Sequence, residues 1–65
     1  MSDLGRLKDA GFREQRFAQR LVDEGKLPVG VDYAAMLDHG LYDAHRDEVV
    51  LSVKGAVLRW RVTVP

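Results

Sequence analysis

Both histidines of the chain sit in one short stretch, Asp38-His39-Gly40-Leu41-Tyr42-Asp43-Ala44-His45-Arg46-Asp47-Glu48, together with four carboxylates. Imidazole and carboxylate together suit a divalent metal such as zinc, and a histidine–aspartate pair suits proton transfer. The spacing matches neither chemistry well. No two of these residues fall at i, i+4 on an expected helix, and the segment reads as a polar, acidic connector. We therefore expect no metal and no cofactor, and keep a metal-dependent activity at residues 38–48 as the third reading.

Nucleophilic catalysis has little to draw on. There is no cysteine, and only Ser2, Ser52 and Thr63 carry aliphatic hydroxyls. The glycines are spread along the chain as helix stops and bends and form no phosphate-cradling loop. The expectation is a protein that is not an enzyme.

The arginines are the remaining chemistry. Arg13, Arg16 and Arg20 follow one another at i, i+3 and i+7, which lines one side of a helix, and Arg6 falls on the same arc. Phe12 stands beside them, off the apolar stripe of that helix. A guanidinium fork pairs with carboxylates or phosphates, and an aromatic neighbour adds apolar anchorage of the kind found at binding hot spots. Phe12, Arg13, Arg16 and Arg20 are thus the expected partner-binding residues. Asp43 and Asp47 in the acidic segment, and Arg59 and Arg61 on the outer face of a C-terminal strand, are the secondary candidates.

The elements that must position these residues follow from periodicity. Ser2 or Asp3 can cap a first turn or helix. Leu4, Leu7, Ala10, Phe17, Ala18 and Leu21 lie within an arc of about 140° at helical spacing, but Glu14 falls inside that stripe and Phe12 opposite it. Gly11 is the natural break. The expectation is a short N-terminal turn or helix, then a main helix over 12–24 capped at its start by Asp9 or Gly11. Gly25 ends it, with Leu27 placed for the accompanying apolar contact, and Pro28 forbids continuation. Residues 27–31 form a connector with room for a short third strand. Asp32 caps a second helix from Tyr33 to about His39, and Gly40 is expected to close it as Gly25 closes the first.

Residues 48–53 and 56–64 are rich in valine around Gly55 and predict an antiparallel β-hairpin. A Lys54-Gly55 turn pairs Val53 with Ala56 and Val49 with Trp60. A Gly55-Ala56 turn pairs Val53 with Leu58 and Leu51 with Trp60. Both place Val49, Leu51, Val53, Leu58, Trp60 and Val62 on one face, whereas a three-residue turn would mix arginine with leucine. Trp60 is expected to bury against Phe17 or Leu21. The fold class is α+β: two or three short helices packed on one face of a C-terminal hairpin.

Sixty-five residues make one domain, and a chain of this size buries only about 60% of its unfolded surface. With no cysteine for a staple, and with hairpin edges open to pairing, a homodimer is expected slightly ahead of a monomer. The apolar content of 46% fits a globular domain. No run is long enough to span a membrane and the N-terminus lacks a signal-peptide core, so a cytoplasmic location is expected. Ten basic and ten acidic residues cancel, but they are arranged basic, acidic, basic along the chain, which orients partners rather than attracting one class of them.

Helices followed by a hairpin resemble the element order of a winged-helix module, which implies nucleic-acid binding with the second helix in the groove. Here that helix carries Asp32 and Asp38 at its ends and no lysine or arginine, the wrong charge to lie among phosphates. The function expected from sequence is stoichiometric protein binding, as a small regulator, adaptor or inhibitor of the size phage and mobile elements carry, acting by occlusion through the arginine face. A small nucleic-acid-binding module is the alternative.

Overall fold

The computed structural model describes residues 4–63. Ser2, Asp3, Val64 and Pro65 lie outside them. Strand β1 (Leu4–Arg6) runs into a 3₁₀ turn (Leu7–Asp9). Helices α1 (Phe12–Asp23) and α2 (Tyr33–His39) follow, then strands β2 (Leu41–Asp43), β3 (Glu48–Val53) and β4 (Ala56–Arg61). The four strands form one antiparallel sheet in the order β1-β2-β3-β4. The architecture is α+β, with the helices on one face of the sheet.

Local chemistry sets the helix limits. Gly11 is the N-cap of α1, and its N–H donates to Glu14 Oε1 at 3.0 Å. This half of a capping box explains why a glutamate interrupts the apolar stripe. Gln15 Nε2 ties the helix back to the 3₁₀ turn through the carbonyls of Lys8 (3.0 Å) and Ala10 (3.3 Å). At the other end Lys26 N–H donates to Leu21 O and Gly25 N–H to Val22 O, the paired bonds of a Schellman stop. Asp32 caps α2 by accepting from Ala35 N–H at 2.8 Å.

Four expectations are corrected. Residues 27–31 are not a strand: Val31 N–H donates to Pro28 O, closing a turn. The third and fourth strands come instead from residues 4–6, where a helical stripe was expected to begin, and from 41–43, inside the expected connector. The hairpin accordingly has one free edge instead of two, because β2 pairs with β3. Gly40 does not end α2 in a left-handed conformation: its φ of −74° and ψ of 153° are extended. It is glycine for lack of room, since a Cβ there would lie 2.4 Å from Met36 O and 3.1 Å from Leu7 Cδ2.

Of the two hairpin registers, the Lys54-Gly55 turn is the one adopted, pairing Val53 with Ala56, Leu51 with Leu58 and Val49 with Trp60. Both turn residues have positive φ, 50° at Lys54 and 83° at Gly55, as a type I′ turn requires. The core consists of Leu7, Ala18, Leu21, Met36, Val49 and Leu51, with Phe17, Leu27, Tyr42, Trp60 and Val62 half-buried around it. Trp60 is therefore on the expected face, but packed at the margin of the core instead of inside it.

Candidate functional site

Helix α1 presents its arginine side next to β4 and the chain that follows it. Phe12, Arg13, Arg16, Phe17, Arg20 and Val62 line an open cleft of about 650 Å³, together with Gln19 and Asp23. A second cleft of about 350 Å³ shares Phe17 and Arg20 and continues along β4 past Arg59, Trp60 and Arg61, with Glu24 and Lys26 on the helix side. The two form one trough between α1 and β4. Its floor is aromatic and aliphatic and its rim is mostly basic.

The four expected helix residues take three different roles. Phe12 is 75% exposed, and the Arg16 guanidinium sits 5.6 Å from its ring centroid in a cation–π contact. Arg20 Nε pairs with Glu24 Oε2 at 3.0 Å, one turn on along the helix. That pairing holds the Glu24 carboxyl below its ordinary value, with Lys26 as a second contributor. Arg13 is exposed but engaged within the chain: Nη2 donates to Asp47 Oδ2 (2.7 Å) and to Thr63 Oγ1 (2.8 Å), and Nη1 to Glu14 Oε2 (3.0 Å). Phe12 and Arg16 are thus the members with the most freedom to meet a partner.

Asp47 is the centre of a surface network. Besides Arg13 it accepts from Tyr42 Oη at 2.5 Å and from the Thr63 hydroxyl. These three donors, Arg13 foremost, hold its carboxyl well below the usual carboxylate range. Asp47 in turn raises the Tyr42 phenol, because the hydrogen bond to a carboxylate favours the protonated form. The Arg13 guanidinium is raised mainly by the same Asp47 bond. The network staples the start of α1, the middle of β2, the β2–β3 turn and the chain after β4. Nothing in the sequence spacing foretold it, since Arg13 and Asp47 are 34 positions apart.

Asp43, the other acidic candidate, has a local duty. Its Oδ1 accepts from His45 N–H (3.0 Å) and Arg46 N–H (3.3 Å) and shapes the β2–β3 turn. His39 ends α2 and His45 is exposed in the turn. Among the described residues no three histidine or carboxylate side chains converge as a metal site would need. Arg59 and Arg61 are exposed on β4, and the register places them in rows with Val50 and Glu48 on the sheet face away from the helices. Among the described residues no helix is long and apolar enough to cross a membrane. No protein-family model, curated protein or solved structure matches the chain.

Proposed function

We propose that this is a non-catalytic binding module whose partner is another protein, seated over the α1 side of the trough and blocked there from its other contacts. The observation that carries this reading is Phe12: a large aromatic ring, three-quarters exposed, stacked with Arg16 on the rim of an apolar-floored cleft. An exposed aromatic beside an arginine at the mouth of a cleft is the composition of an interface anchor. The site offers hydrogen-bonding groups beside apolar surface, the mixture that a protein interface uses.

Affinity capture from the source cell tests the proposal, with the wild-type chain compared against Phe12→Ala and Arg16→Glu in the presence of nuclease. A protein should be retained stoichiometrically by the wild type and lost with each variant. Both variants should melt within about two degrees of the parent, because exposed charges and rings contribute little to stability. Capture that survives both substitutions would show that this face is only solvated. Retention abolished by nuclease, with a steep salt dependence, would transfer the site to nucleic acid.

A further inference from the structure

We infer that the free edge of β4 takes an extended acidic segment of the partner as a fifth strand; this rests on the protein-binding reading above and names what fills the trough. The edge is open: no described strand lies beyond β4 in the sheet. Its polarity follows from one bond. Val62 N–H donates to Asp47 O at 2.8 Å, toward the β3 side. Backbone groups alternate in direction along an antiparallel strand, so Trp60 and Leu58 also face β3, while the N–H and C=O groups of Val57, Arg59 and Arg61 point away from the sheet. Such a row of unpaired donors and acceptors is a template for strand addition.

The surroundings of the edge specify the occupant. Side chains of an added strand would alternate between the trough and the outer sheet face. Trough-facing positions would meet Phe17, Trp60 and Val62, with Arg16 and Arg20 above them. Outward positions would lie beside Arg59 and Arg61. Among the described residues Arg16, Arg59 and Arg61 make no ion pair, so their guanidiniums are available to carboxylates. The matching segment alternates acidic with apolar residues. A second copy of this chain is a poor occupant, because a pairing centred on β4 sets Arg59 against its own copy, and like charges directly opposite destabilise a pair. Nucleic acid fits less well too: a phosphodiester backbone has no donors for the edge carbonyls.

The probe is a synthetic peptide of alternating glutamate and valine, titrated into the full chain and followed by amide hydrogen exchange. Saturable binding is expected, with exchange at the Arg59 and Arg61 amides slowed at least about tenfold. The double variant Arg59→Glu, Arg61→Glu should stay folded and lose at least about tenfold in affinity. A peptide of alternating lysine and valine should not bind. The inference is overturned by an absence of saturation, by binding that leaves the Arg59 and Arg61 amides unprotected, by equal binding of the lysine peptide, or by protection of those amides that rises with protein concentration alone. Failure here with capture still lost in Arg16→Glu removes the acidic strand and leaves the binding module. Capture indifferent to both Phe12→Ala and Arg16→Glu removes the module itself.

Discussion

Asp47 sits at positive φ, 54°, in the β2–β3 turn, a conformation that aspartate tolerates better than most residues. There it gathers three donors from three parts of the chain, and this gives the molecule a pH dependence at both ends of the scale. The Asp47 carboxyl is depressed in the folded state, chiefly by Arg13. Its contribution to stability is therefore complete above the ordinary value near 3.8 and is lost as pH falls toward the depressed folded value. The Tyr42 phenol is raised, chiefly by its bond to Asp47. Its contribution is complete below the ordinary value of 10.0 and disappears as pH climbs through the raised one. Urea midpoints measured against pH should fall on both sides of this window. Asp47→Asn should lower the plateau and flatten both limbs, and Tyr42→Phe should flatten the alkaline limb and only weaken the acid one, because Arg13 and Thr63 still hold the Asp47 carboxyl down. A profile for Asp47→Asn that runs parallel to the wild type would show that the network adds nothing to stability.

At the scale of elements, the parts written in local chemistry are legible and the parts written in long-range pairing are not. The cap at Asp32, the stop at Gly25 and the break at Gly11 are each read from one or two residues, so α1 and α2 fall close to their expected limits. The hairpin is legible because six residues a side are enough to show a period of two. Strands β1 and β2 have three residues each, too few to display any period, and Leu4-Gly5-Arg6 becomes a strand only through its pairing with Leu41–Asp43. The same limit applies to the site. Phe12 stands out from sequence because it points off the stripe, whereas the commitment of Arg13 to Asp47 depends on where the β2–β3 turn lies. The hairpin turn holds a local conflict that can be tested. Lys54 occupies a left-handed position, which costs an ordinary side chain about 1 kcal/mol relative to glycine or asparagine. Lys54→Asn should therefore stabilise the protein by about 0.5–1 kcal/mol, a rise in Tm of about 2–8 °C for a domain of this size. A lowered Tm would argue for the other register, in which Lys54 precedes the turn.

At the scale of the whole molecule, six buried side chains among the described residues and a margin of half-buried ones hold together a fold that has no cysteine to cross-link it. A total stability near the low end of the usual range, about 5 kcal/mol, is what such a core sustains. The sheet then has one face whose truncation endangers the fold and one whose truncation does not. Leu51 is 1% exposed beneath the helices, while Val57, on the opposite face of the neighbouring strand, is 54% exposed. Leu51→Ala should cost about 2–4 kcal/mol through lost burial and the cavity left behind, enough to leave a substantial fraction of the chain unfolded at 37 °C. Val57→Ala should cost less than about 1 kcal/mol. Trp60→Ala should fall between them, near about 2 kcal/mol, because its ring is only half-buried. Thermal or urea unfolding of the three variants orders them directly. An order in which Val57→Ala is the most damaging would place the core on the wrong side of the sheet. The trough, whose apolar floor is built from Phe17, Trp60 and Val62, would then have no floor, and the acidic strand proposed for the β4 edge would have nothing to rest against.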